Sequence, residues 1–173
     1  MYSEMALAQE LDAYQTRAVT LAAYPSKYEI AYTALGIIDE IGELLRTDVE
    51  ADNDTILSEM GDVCWYCAAL SYDLGLTLSS CYDNAKIQMI SDMQALFENG
   101  TRLCGRVKKI LRGDKDRDGK LKEVQGYIGD ILRRIEVLAI QRESSLEGVC
   151  QKNLDKLFDR KDRGVLKGDG NDR

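Results

Sequence analysis

The chain has no histidine and a single proline, Pro25, among its 173 residues. Without imidazole, the commonest general base and nucleophile partner is missing. Any chemistry must therefore run on carboxylates, lysines, arginines or a metal ion. With one proline there is little to interrupt helices, and the alternating apolar–polar pattern of strands is absent too. No apolar run approaches the length that spans a bilayer, and the opening M-Y-S-E-M-A has neither the basic nor the apolar part of a secretory signal. Five cysteines, an odd number with no dense framework, read as reduced thiols of a cytosolic protein. Cys64 and Cys67 have C-x-x-C spacing, but no second pair and no histidine accompany them, which favours two core-facing thiols over zinc.

What remains is helix. The length suits one compact domain with a sizeable core. The pattern predicts helices over roughly 3–22, 26–46 and 55–73, the last closing at Gly75. Further helices are expected over 77–112, with a break near Gly100 or Gly105, then over 120–141 and 144–163. Ser26 with Glu29, and Ser144 with Glu147, have the spacing of capping boxes. The segment 164–173 is expected to be a mobile tail.

Two acidic pairs stand out. Glu40 with Glu43, and Glu59 with Asp62, each have the i, i+3 spacing that puts both side chains on one helix face. The polar stretch between them is short enough for a turn, so the helices would run antiparallel with their acidic faces able to meet. Both pairs sit among apolar residues, as I-I-D-E-I-G-E-L-L and I-L-S-E-M-G-D-V-C-W-Y, which favours a place near the core over a solvated face. Four converging carboxylates repel one another unless a cation lies between them, and hard divalent ions bound through oxygen are the usual solution. Gly42 and Gly61 each cost roughly 1 kcal/mol inside a helix relative to alanine; close helix approach, or room for a ligand, would explain them.

The chain also repeats itself. G-D-V-C-W-Y-C-A-A-L from Gly61 matches G-D-I-L-R-R-I-E-V-L from Gly129, and each is followed by a turn, a leucine-serine helix start, and an asparagine with a nearby lysine: Asn84 and Lys86, then Asn153 and Lys156. In the second copy Asn99, Arg102 and Tyr127 stand where the first has Glu40, Glu43 and Glu59, while Asp130 matches Asp62. Residues 1–90 hold 15 acids against 4 bases, a net of −11, whereas residues 91–173 hold 15 acids against 19 bases, a net of +4. An acidic half beside a basic half suits a ligand that is both metal-bound and anionic. Lys108, Lys109 and Arg112 form one basic cluster, and Lys156, Arg160 and Arg163 are spaced to share a helix face. The overall charge of −7 makes nucleic acid a poor partner.

The run A-L-G-I-I-D-E-I-G-E-L-L followed by E-M-G-D-V-C-W-Y resembles the E-x-x-E and E-x-x-D signature of the all-α MazG-like nucleoside triphosphate pyrophosphohydrolases. The N-terminal Y-Q-T-R-A-V-T-L-A-A-Y-P and the closing N-L-D-K-L-F-D-R-K-D-R-G-V-L-K-G-D-G-N-D-R are similar to their short bacterial and phage members. The resemblance implies a helical bundle that hydrolyses a nucleoside triphosphate to the monophosphate and pyrophosphate in a bacterial or phage-infected cytoplasm, with Mg²⁺ (or Mn²⁺) held by Glu40, Glu43, Glu59 and Asp62. Such an ion would neutralise the triphosphate and lower the pKa of a bound water for attack on the α-phosphorus. Glu43 is a candidate for the base that takes the proton. Asn84, Lys86, Lys109, Asn153, Lys156 and Arg160 would hold phosphate oxygens, and Tyr66 would line the base pocket, with Trp65 in the core.

The chain departs from the family pattern in an instructive way. Single-copy members carry the acids and an N-x-x-K motif together and pair into dimers. Here Ile87 occupies the lysine place of the first copy, and the second copy has the basic motif without the acids. The expectation is a fused pseudo-dimer: 1–90 as the metal unit, 91–163 as a degenerate unit supplying cations, with a further homodimer open. A nucleotide-binding protein without turnover, and a helical interaction module, are the alternative readings. The loop from Asp114 to Gln125 also resembles a calcium loop, with Asp114, Asp116, Asp118, Gly119 and Leu121 in place but Gln125 where a bidentate glutamate belongs; a charged surface turn is the competing reading.

Overall fold

The computed structural model describes residues 4–47, 51–86 and 93–166, and every regular element among them is a helix. The α-helices are α1 (Glu4–Ala18), α2 (Glu29–Arg46), α3 (Asn53–Asp73), α4 (Leu78–Asp83), α5 (Met93–Leu111), α6 (Arg117–Gln141) and α7 (Leu146–Asp162). The expected all-α bundle is what the chain forms. No helix among the described residues is long and apolar enough to cross a membrane.

Two antiparallel hairpins, α2–α3 and α5–α6, pack against each other through α2 and α5, and α1 lies across α3, α4 and α7. The shared core includes Ile37, Ile41, Met60, Leu103, Ile128, Ile131 and Leu132, each nearly or fully buried. Such side chains contribute about 1.5–3 kcal/mol apiece. Cys64 and Cys67 belong to this core, as their spacing on one apolar face predicts. Gly75 and Gly113 take positive φ (74° and 78°) just beyond α3 and α5, and the following amides of Leu76 and Asp114 return to Ser71 and Lys109. This is the glycine helix stop expected at Gly75.

Several boundaries differ from expectation. The helix expected over 77–112 is two helices. Its break falls after Asp83, because Asn84 turns its amide onto the Ser80 carbonyl (2.7 Å) and the Lys86 amide leaves to meet Asp130 Oδ1 at 2.6 Å. Gly100 and Gly105 both lie inside α5. A Cβ on Gly100 would sit 3.0 Å from Ile38 and Ile41, so that glycine lets α2 and α5 approach. Ser26 caps nothing: residues Ser26–Tyr28 form a 3₁₀ turn with no side-chain cap, and α2 starts at Glu29. Ser145, not Ser144, caps α7 by accepting from the Gly148 amide at 3.1 Å. Ile87, and residues 167–173 of the expected tail, lie outside the described residues, as does the boundary expected at 90–91.

The packing repeats in a crossed manner. α3 packs on α7, and α4 packs on α6. A Cβ on Gly61 would lie 2.8 Å from Asn153 Cβ, and one on Gly129 would lie 2.1 Å from the Cys81 carbonyl oxygen. Each Gly-Asp pair of one half thus receives the short-loop helix of the other half. Two units exchanging contacts about an approximate two-fold would produce this arrangement.

Candidate metal centre

Glu40 and Glu43 project from α2, and Glu59 from α3, into one place where an oxygen from each lies within 4.8 Å of the others. Their burial grades across the site: Glu59 is 4% exposed, Glu40 is half-buried and Glu43 is exposed. The antiparallel hairpin forces this meeting, since Glu40 and Glu43 are one turn apart on the face of α2 that packs on α3. Glu40 shows the cost. Its carboxyl is pushed up to about 8, mainly by burial and then by the charges of Asp62, Glu43 and Glu59. The donors are all carboxylate oxygens, with no nitrogen or sulfur, which suits a hard ion such as Mg²⁺ or Mn²⁺ better than zinc.

Asp62, the fourth acid, is close enough to raise Glu40 but is not part of the three-acid cluster. Both its oxygens are engaged by α7. Lys156 Nζ lies 2.6 Å from Oδ2, and Asn153 Nδ2 donates to Oδ1 at 3.0 Å. Lys156 also reaches Ser58 Oγ at 2.9 Å, and Asn153 Oδ1 accepts from the buried Tyr14 hydroxyl at 2.9 Å. The chain Tyr14–Asn153–Asp62–Lys156–Ser58 therefore ties α1, α3 and α7 together. Gly61 makes it possible, because any side chain there would displace Asn153. The basic half of the sequence does meet the acidic half, through Lys156 on Asp62 and Lys152 on Asp54.

The other expected substrate residues are dispersed. Arg160 is 3% exposed, so it points into the protein, while Arg163 pairs with Asp159 at the surface; the shared basic face of Lys156, Arg160 and Arg163 does not form. Asn84 and Lys86 lie against Gly126 and Asp130 of α6, the counterparts of the metal unit's own helix. Cys104 of α5 donates to the Ala34 carbonyl, so Lys109, five residues further along an antiparallel helix, is level with the start of α2. That is about 15 Å along α2 from Glu40 at 1.5 Å per residue.

Arg102, which the sequence alignment pairs with Glu43, forms an ion pair with Glu98 on its own helix, at the surface. Among the described residues, the cluster on α2 and α3 is the one group of three metal-capable side chains. The calcium-loop reading fails: α6 begins at Arg117, so Asp118 to Gln125 are helical, Asp114 pairs with Arg112, and Asp116 caps α6 through the Gly119 amide. Gln125 bonds to Ser80 instead.

Sequence reasoning missed Gly36. A Cβ there would fall 2.1 Å from the Tyr66 ring, which lies directly over it. Gly36 precedes Glu40 by one turn, and that spacing was the available signal. Trp65 is 9% exposed and donates to the Ala18 carbonyl, a core residue as expected.

No protein-family model matches the chain, and no solved structure does. The chain is 41% identical over 76 residues to the "Gene 37 protein" of Mycobacterium phage L5, which covers 41% of this chain and 64% of that protein. The match thus spans less than two thirds of the relative's own length.

Proposed function

We propose that this protein hydrolyses a nucleoside triphosphate to the monophosphate and pyrophosphate with the help of Mg²⁺, Mn²⁺ being an alternative ion. The observation that carries the reading is the convergence of Glu40, Glu43 and Glu59, with the Glu40 carboxyl pushed up to about 8 by burial and by the neighbouring carboxylates. The resemblance to MazG-like enzymes supports it, through the same residues. A bound magnesium supplies charge neutralisation of the triphosphate and acidifies a water.

The protein's own residues supply the rest. Glu59, deeply buried, and Glu40 fix the position of the ion. Glu43, exposed beside them, is the carboxylate with access to solvent and takes the proton from the attacking water. Asn153 orients Asp62 at the edge of the cluster. Lys156, held on Asp62, turns to a phosphate oxygen when substrate arrives.

Pyrophosphate release from a panel of nucleoside triphosphates, with Mg²⁺ and with chelator, tests the proposal. Metal-dependent release that is lost in Glu43→Gln supports it. Tight nucleotide binding with no release would favour the non-catalytic binding protein, and neither binding nor release would leave the helical interaction module.

A further inference from the structure

Beyond the acids, the seam between α2 and α3 continues into an aromatic cluster. Tyr32, Gly36, Glu40 and Glu43 follow one another at spacings of four, four and three residues and so share a stripe along α2. Tyr66, Asp62 and Glu59 form the matching stripe on α3. The carboxylates thus occupy one end of the seam and aromatic rings the other, with Tyr32 about 12 Å along the helix from Glu40.

The four rings close a circuit. Tyr24 stacks on Tyr32 (4.9 Å, 28°), Tyr32 tilts against Tyr66 (6.1 Å), Tyr66 meets Trp65 edge-on (4.9 Å), and Trp65 returns edge-on to Tyr24 (6.2 Å). Tyr24 is itself fixed, its hydroxyl donating to Asp73, which also accepts from Thr33 on α2. The Tyr66 ring lies against Tyr32 and near enough to Glu40 and Asp62 to feel their charge. Core packing accounts for Trp65. It does not account for Tyr32, which is 45% exposed although its ring is braced from behind.

We propose that Tyr32, backed by Tyr24 and joined to Tyr66, is the nucleobase platform of this site: a flat heteroaromatic base stacks on its open surface while the phosphates lie over the acids. The proposal rests on the pyrophosphohydrolase reading and deepens it, since it makes the substrate a nucleotide and not an inorganic polyphosphate. A rigid, half-exposed tyrosine suits base stacking, which tolerates any base because each has a π-face. The adjoining phenol of Tyr66 offers a donor and an acceptor to the base edge. Gly36 is the device that makes room, since a side chain there would expel Tyr66 from its place beside Tyr32.

The test uses the two product classes separately. Nucleoside monophosphates, and in parallel pyrophosphate, are titrated calorimetrically into the whole protein with Mg²⁺. Tyr32→Leu should weaken the monophosphate by about 10- to 100-fold and leave pyrophosphate unchanged, whereas Tyr32→Phe should stay close to wild type. An unchanged thermal midpoint in Tyr32→Leu shows that the fold is intact. Equal monophosphate affinity in Tyr32→Leu and wild type, or a parallel loss of pyrophosphate, overturns the platform. Wild-type protein that binds Mg²⁺ and pyrophosphate but no monophosphate overturns the platform alone; protein that binds neither overturns the hydrolase reading beneath it.

Discussion

Lys156 Nζ sits 2.6 Å from Asp62 Oδ2, so a lysine from α7 brings positive charge to the edge of the acidic hairpin. Both side chains are more than four-fifths buried. Removing one partner of such a pair leaves an uncompensated charge and costs about 3–5 kcal/mol. Lys156→Met should therefore lower the stability of metal-free protein by that order in urea unfolding. Mg²⁺ should restore more stability to this variant than to wild type, because the ion takes over neutralisation of the acids. Equal Mg²⁺ stabilisation of both proteins would show that Lys156 and the metal act on separate charges.

Glu40 makes stability depend on pH in an unusual direction. Burial and the neighbouring carboxylates push its folded-state pKa up to about 8, from an ordinary 4.5. The neutral carboxyl is thus favoured by folding, and that contribution is complete below pH 4.5 and lost as pH rises through 8. Metal-free protein should accordingly lose thermal stability between about pH 5 and 8.5, and Glu40→Gln should flatten the curve. Mg²⁺ binding near neutral pH should release a proton, read by calorimetry in buffers of different ionisation enthalpy. A metal-free melting profile that rises over this range would contradict the raised value.

The all-α class, the position of the hairpin and the identity of three metal-capable acids were legible in the chain because i, i+3 pairs on antiparallel helices must face each other if both helices bury the flanking apolar residues. The place of Asn153 and Lys156 against Asp62 was not legible. Nothing in the spacing of an N-x-x-K motif says that its side chains will close onto Asp62 across 91 and 94 residues of sequence. Arg160 was misread for the same reason: helical spacing fixes which residues align but not which way the shared face points. The short α4 escaped because Asn84 ends it by a local side-chain bond, where propensity alone continues the helix.

Glycines on the acidic hairpin should separate by partner. A Cβ at Gly61 meets Asn153 Cβ at 2.8 Å, on a side chain held at both ends by Tyr14 and Asp62. Gly61→Ala should destabilise by about 1–3 kcal/mol through overpacking. Gly42 meets only the far end of Arg46, a flexible exposed side chain of its own helix, at 3.2 Å. The close helix approach expected there is absent, and Gly42→Ala should gain up to about 1 kcal/mol of helix propensity. Denaturant midpoints that move the same way in both variants would refute the contrast.

The last expectation concerns which half carries the chemistry. Arg102, which the sequence alignment of the two halves pairs with Glu43, forms an ion pair with Glu98 on its own helix. Removing its charge by Arg102→Gln frees no carboxylate cluster, because Asn99 and Tyr127 cannot replace the missing acids. Mg²⁺ stoichiometry and turnover should then stay at wild-type levels. Glu43→Gln, at an exposed position, should keep the fold by circular dichroism yet lower turnover by roughly 10²–10⁴-fold, the range for loss of a positioned base. One active centre per chain would follow from that pair of results, since the sequence alignment pairs the two positions and only Glu43 belongs to a carboxylate cluster. Loss of turnover in Arg102→Gln comparable to that in Glu43→Gln would place a required cation in the second hairpin and end the one-centre account.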